Sequence, residues 1–525
     1  MNEILDSPEI EKLSTIIEEA IRSTEEGIKR FVEPAKGTLN RAKSKQHQIV
    51  FGRRGSGKSS LLRKAVSDLK KDRRPIAYID LETYKGHSFP DVLISVLIES
   101  LTKFEIVLNE LALSDDKKFS FVEKICQKIF RNKKNRSGMD KKKAKEISVS
   151  LDEQIKKLKE LLHSADEIET EKTVKLDKEK FKENELKAGT DNKGFALEGK
   201  SAGSEKETAS EEVKEAFHRK KFDFLLRNIK EYQNLFHQIS ELSSGDSYIF
   251  LDDLYHIRRN DQANVIDYFH RIAKGNNLWL KVGTIRHRSL WYIHSDPPVG
   301  VKIGDDADEI DLDLTLESYS QTKQFLVKIL NGFLIESGKI SIDQILSEGA
   351  VDRLVLASGG VARDFLGVFR KSIDVARERG RNHRGEKIGA EDVNVAVGKY
   401  ESTKKEEFKR DTLEDQVKLE SEWQKIRNFC INQAKANLFL LDIDEKTENI
   451  KHIHELVDLR LIHKVKSRVT VSACPGKIYE AYMLDVSQYT GARKIRGFKM
   501  IDFWLQSSIE ELRRKSMIYD PTVNN

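Results

Sequence analysis

From Gln48 to Leu62 the chain reads Q-I-V-F-G-R-R-G-S-G-K-S-S-L-L. Four residues that suit a buried strand run into a glycine-rich stretch, and that stretch runs into a helical pattern from Ser59 to Leu69. Gly52-Arg53-Arg54-Gly55-Ser56-Gly57-Lys58-Ser59 satisfies G-x-x-x-x-G-K-[ST] at every position. The residue types follow from the physics of holding phosphate. Glycines let the backbone curl so that its N–H groups face an anion, and the helix beginning near Ser59 adds its positive end. The loop from Gly52 to Ser60 is therefore the expected cradle for ATP, with Lys58 reaching the β- and γ-phosphates and the Ser59 hydroxyl on Mg²⁺. Such a loop works only between a strand and a helix, which commits the chain to an α/β fold with a parallel sheet.

A metal partner is expected at the end of a second buried strand. Tyr248-Ile249-Phe250-Leu251-Asp252-Asp253 supplies it: four apolar residues followed by two acids. Asp252 is placed to hold Mg²⁺ through water, and Asp253 to polarise the attacking water. Asp80 and Glu82, at the end of the strand Ile76–Leu81, are expected to flank the nucleotide or substrate. Leu278–Thr284 reads as a further strand.

Composition shows how the rest is organised. Charged residues make up 34% of the 525, yet the net charge is only +6, which excludes a uniformly basic nucleic-acid coat. Much of the charge lies in one insertion, 131–212, that interrupts the α/β block. Residues 131–145 carry eight basic side chains against the single acid Asp140, and Leu151, Ile155, Leu158, Leu161 and Leu162 recur at helical spacing as a short arm. The polar stretch 166–212 is expected to be disordered or extended. The reading is thus an N-terminal helix within 1–30, a nucleotide-binding domain 31–317, a helical lid 318–400 and a C-terminal module 401–525. In the last of these, helices leading into a β-hairpin point to a winged-helix-type α+β unit. Three widely spaced cysteines argue against a disulfide framework. The polar, acidic start is unlike a secretion signal, and no apolar run approaches the ~20 residues of a bilayer span. A cytoplasmic protein without membrane contact is expected.

With these motifs in place, residues 30–130 and 213–400 resemble the AAA+ ATPases, in particular the initiator clade that includes origin-recognition and replication-licensing ATPases. The resemblance implies Mg²⁺-dependent ATP hydrolysis in a homo- or hetero-oligomer. It assigns Thr284, at the end of its strand, to the polar "sensor 1" position. Ser358-Gly359-Gly360-Val361-Ala362-Arg363 resembles the Gly-Gly-x-x-Arg start of a lid helix, so Arg363 takes the "sensor 2" role on the γ-phosphate. Arg286, Arg288 and Lys302 lie where a finger for a neighbouring subunit would arise. Where the family often has Asp-Glu this chain has Asp252-Asp253. That ending is shared with signalling ATPases that act as nucleotide-dependent switches, some of them associated with phage defence. Two outputs therefore stand open: regulation of DNA or partner-protein binding, or a scaffold whose output is oligomerisation.

Other signals are weaker. The acidic run Asp305–Asp313 fails the spacing of a calcium loop and reads as a solvated loop with a strand beginning inside it. His452, His454, His463 and Cys474 lack zinc spacing. Basic residues at 370–387 carry a net +4, and Arg460, His463, Lys464, Lys466 and Arg468 precede the hairpin. Both clusters are candidate contacts for double-stranded DNA, set against a solvated helix surface.

Overall fold

The computed structural model describes residues 4–20, 26–71, 74–114, 142–163, 201–242, 245–379, 386–411, 416–444, 448–490, 497–505 and 508–522. Its centre is a five-stranded parallel sheet of β1 (Gln48–Phe51), β2 (Ile76–Asp80), β3 (Ser247–Asp252), β4 (Leu278–Thr284) and β7 (Asp308–Asp311), in the order β2-β3-β4-β1-β7. Between β4 and β7 lies a two-stranded antiparallel excursion, β5 (Tyr292–Ile293) and β6 (Val299–Gly300). Strands buried on both faces read as unbroken apolar runs, and alternation along β3 shows why. Tyr248 and Phe250 join the core under the helix Lys58–Lys71, while Ile249 and Leu251 face the core on the opposite side.

The opposite face is covered by helices Asp91–Ser114, Ser201–Leu242 and Arg259–Ala273, together with the helix 142–163. That last helix is not a projecting arm: Leu151, Ile155 and Leu158 are buried against the other helices. Residues 201–212 correct a second expectation, because they form the beginning of the long helix rather than extended chain. Glu, Lys and Ala are good helix formers, so a helix nucleated by the apolar stretch beyond it propagates into polar sequence. Most of the basic run (131–141) and residues 164–200 lie outside the described residues.

The acidic run does contain a strand, as expected, but more of the run belongs to it than to a solvated loop: Asp308–Asp311 form β7, pairing with β1 in register Phe51↔Asp311. Only Ile310 of β7 is buried, so the strand contributes almost no apolar signal.

The lid comprises helices Tyr319–Gly338, Glu348–Ser358, Ala362–Arg379 and Ala390–Asp411, the last of which runs past residue 400. The N-terminal helix Pro8–Ala20 packs on the lid with Ile10, Leu13 and Ile17 buried. The C-terminal module sets helices Gln416–Asn428 and Glu448–Asp458 against an antiparallel sheet of β8 (Leu438–Asp442), β9 (Ile462–Val469) and β10 (Tyr479–Leu484), in the order β8-β10-β9. Its apolar residues share one continuous core with the lid. The expected α/β class, with a parallel sheet, helical lid and C-terminal α+β module, is the architecture observed. Among the described residues no helix is long and apolar enough to cross a membrane.

Candidate functional site

In an open parallel sheet the ligand crevice lies beyond the carboxyl ends of the strands. Here the ends of β1, β2 and β3 deliver the loop Gly52–Ser59, then Asp80, then Asp252 and Asp253. Gly55 and Gly57 adopt φ of +87° and +102°, the left-handed backbone that curls the loop and that side chains other than glycine disfavour. A cavity of about 220 Å³ opens against Arg54–Leu61, Asp253 and Arg363.

The chemistry-bearing side chains converge at this end. Lys58 is 4% exposed, and its Nζ lies 3.9 Å from Asp253 Oδ1 and 3.4 Å from the Arg53 carbonyl. Asp252 is 1% exposed and accepts from Tyr78 Oη at 2.5 Å and from the Ser59 hydroxyl. Burial first, then the neighbouring Asp253, pushes the Asp252 carboxyl up to about 6. Burial raises Asp253 as well, while the charges of Lys58 and Arg363 oppose that rise. Asp253 itself has φ +56°, an uncommon backbone for a side chain other than glycine or asparagine. Gly283 of β4 makes room for the pair: a Cβ there would sit 2.6 Å from Asp252 Oδ1.

A metal–nucleotide fits this donor set. Ser59 and Asp252 already touch. Mg²⁺ characteristically takes only one or two protein ligands and completes its shell with phosphate and water. The Ser56 hydroxyl is buried without a partner inside the curl of the loop, where an anion's oxygens would meet it. The further wall of the cavity is apolar: Ile28, Phe31 and Val32 before β1 face Phe325, Ile329 and Phe333 of the lid. This wall would suit a flat aromatic base. Sequence reasoning did not find it, because Ile28 and Phe31 fit a helical pattern and Phe325 to Phe333 read as lid core.

The remaining predicted residues fall in different places. Arg363 lines the cavity, its backbone N–H reaching the Gly55 carbonyl at 3.3 Å. The lid presses so closely here that a Cβ on Gly55 would sit 2.7 Å from Arg363 Cβ. Arg54 and Ser60 also line the cavity. Thr284 is fully buried at the end of β4, its hydroxyl bonded to that of Ser289, and does not line the cavity. Arg53 points the other way: its backbone N–H and Nε both reach Asp313 Oδ1, at 2.8 and 3.2 Å, and Nη2 donates to the Leu314 and Gly359 carbonyls. It clamps the loop to the end of the acidic run and to the lid. Asp313 was hidden among the other acids of that run.

Among the finger candidates, Arg286 is committed to Glu309 and Asp311 at 3.1 Å each and stacks over Phe51. Lys302 pairs with Asp305 at 2.5 Å. Arg288 lies near the ring of Tyr255, which also faces Lys58.

Members of both basic clusters are engaged in ion pairs within the protein. Arg370 pairs with Glu18, and Arg379 holds Asp392 through two bonds of 2.8 and 2.9 Å; Arg381 and Arg384 lie outside the described residues. Arg460 and His463, expected on the surface before the hairpin, are 3% and 1% exposed. They join a buried polar network in which Asp364 of the lid pairs with the Arg460 guanidinium and the strand-end Asp485 is bonded to the His463 ring. Lys464 pairs with Glu480, while Arg468 stays exposed. The helix Glu448–Asp458 leans on the parallel-sheet domain, with Glu455 3.3 Å from Arg259 and Asp458 accepting from the His287 backbone at 2.9 Å.

No protein-family model matches the chain, and no curated protein matches its sequence. Among solved structures it is similar to the Aeropyrum pernix Orc1 protein in complex with DNA, at 12% identity over 86% of this chain and 90% of that one, with a TM-score of 0.34. It is also similar to Cdc6p from Pyrobaculum aerophilum, at 11% identity over 94% of each chain and a TM-score of 0.28.

Proposed function

We propose that the chain is a Mg²⁺-dependent ATPase of AAA+ type whose nucleotide state sets the lid and C-terminal module and so regulates binding to DNA or a partner protein. The observation that carries this reading is convergence on one cavity: Lys58, Ser59, Asp253 and Arg363 line its polar end, Asp252 sits directly behind Ser59, and an apolar wall forms the other end. Mg²⁺ held by Ser59 and Asp252 would neutralise charge between the β- and γ-phosphates. Asp253 would accept a hydrogen bond from the attacking water and orient it in line with the γ-phosphorus. Lys58 and Arg363 would balance charge on the phosphoryl oxygens from opposite sides, one fixed on the sheet and one carried by the lid. Arg363 thereby makes the angle of the lid respond to the γ-phosphate.

A second reading, a switch with slow turnover and output through assembly, draws on Asp253 standing where a longer glutamate would reach further. The C-terminal module already seated on the nucleotide domain supports the same idea. One experiment separates the two: ATP turnover with and without double-stranded DNA, with oligomeric mass followed in parallel. Stimulation by DNA is expected under the first reading; ATP-dependent growth in mass without stimulation would favour the second. In either case Asp253→Asn should lower turnover by about 10²-fold while ATP affinity stays within a few-fold, since it removes a base and not a phosphate ligand. Unchanged turnover in Asp253→Asn would remove Asp253 from the chemistry.

A further inference from the structure

Arg363 projects into the cavity, and the next residue, Asp364, turns into the protein and is fully buried. Asp364 Oδ1 accepts from Arg460 Nη1 at 2.6 Å and from Tyr400 Oη at 3.3 Å, and Lys404 Nζ lies 4.0 Å from its other oxygen. Lys404 also reaches Asp485 at 2.6 Å, which in turn is bonded to His463 Nε2 at 2.9 Å and to the Ser487 backbone at 3.1 Å. Burial alone would raise the Asp485 carboxyl, but Lys404 and His463 hold it well below the usual carboxylate range. Two carboxylates are thus matched by one guanidinium and one ammonium, with burial keeping the imidazole towards its neutral form.

Arg460 comes from the C-terminal module, at the joint between the helix Glu448–Asp458 and β9, with φ +63°. The segment from Asp458 to His463 therefore touches three parts of the ATPase. Asp458 holds the backbone of His287 beyond β4, Arg460 holds Asp364, and the His463 ring abuts Gly359. A guanidinium presents its donors in a rigid plane, so it fixes the carboxylate it binds more tightly in direction than a flexible ammonium does.

We propose that Arg460 is a positioning residue for Arg363: through Asp364 it fixes the first turn of the lid helix, so that the phosphate end of the cavity is complete only with the C-terminal module seated. This rests on the ATPase reading above. It differs from a structural ion pair in what it predicts, because its effect on turnover must pass through Arg363.

The test uses the full chain, with single-turnover ATP hydrolysis, affinity for a fluorescent ATP analogue and thermal unfolding followed together. Arg460→Lys keeps the charge and loses the planar fork. It should lower the hydrolysis rate about tenfold with affinity within about twofold, as expected of misplacing one group by a fraction of an ångström. In an Arg363→Ala background the same change should alter the rate by less than about twofold. An equal fold-loss in both backgrounds, or no loss in either, overturns the positioning role. Asp364→Asn, which preserves shape, should reproduce the pattern. Failure of both variants to fold would likewise overturn it, in favour of a purely structural pair. An Arg363→Ala rate equal to wild type would overturn it too, whereas the absence of ATP hydrolysis by the wild-type chain would instead defeat the ATPase reading on which the inference rests.

Discussion

Lys58→Ala is expected to weaken ATP binding by roughly 10²- to 10³-fold and to remove turnover. This ammonium is enclosed at 4% exposure, yet its contacts are long: 3.4 Å to the Arg53 carbonyl and 3.9 Å to Asp253. A buried charge so loosely partnered has most of its interaction left for a ligand. A charge-assisted bond contributes about 1.5–3 kcal/mol, and two phosphates sharing one ammonium would each receive a bond at the lower end of that range, so a loss of about 3–4 kcal/mol follows. That converts to the stated range at about 1.4 kcal/mol per tenfold. The folded state should change far less, because the substitution also removes the desolvation of a buried cation. Titration calorimetry with ATP·Mg²⁺, beside a melting curve, measures both quantities. An ATP affinity within threefold of wild type, with the melting temperature preserved, would show that the loop does not hold phosphate through Lys58.

Where the fold was legible in the sequence, the physics was local. β1 and β4 match the expected strands residue for residue, and β3 differs by one residue at each end. These strands are buried on both faces and read as apolar runs, broken in their interior only by Lys281 of β4, whose ammonium is held by the Ser44 and Gln46 carbonyls and Gln48 Oε1. The loop between β1 and the following helix is legible for the same reason, since its geometry depends on glycines and on neighbours in sequence. The extent of β7 was not legible because it is an edge strand: Asp308 and Asp311 face solvent and only Ile310 reports burial. Arg460 and His463 misled more deeply. Charge in a sequence points to the surface unless its partner is visible, and their partners lie 96 and 22 residues away. The apolar wall of the cavity was missed in a similar way. It forms only when a segment before β1 meets a lid helix about 300 residues later, and no period in either stretch records that meeting.

The same distant packing makes Gly359 a sensitive point between loop, lid and C-terminal module, and Gly359→Ala should cost about 2–4 kcal/mol of stability. Gly359 ends the helix Glu348–Ser358 with φ +56° and ψ 25°, a left-handed cap that glycine enters freely and alanine enters with strain. Its carbonyl accepts Arg53 Nη2 at 2.9 Å, which ties the phosphate loop to the lid. On its other side the His463 ring leaves no room: a Cβ would overlap Nδ1 and Cε1 and lie only 2.8 Å from Cγ. The ring cannot simply swing away, because it is 1% exposed and its Nε2 is held by Asp485. Either the ring shifts and pulls on Asp485 and Lys404, or the cap shifts and releases Arg53. Both routes loosen the seat of the C-terminal module, so turnover measured well below the melting temperature should fall as well. The two contributions separate in a double variant. His463→Ala removes the overlap and leaves the backbone strain, so Gly359→Ala should cost about 1–3 kcal/mol less in that background than in wild type. Denaturant titration of the four proteins measures the difference. Equal costs in both backgrounds would mean that His463 does not pack against the cap.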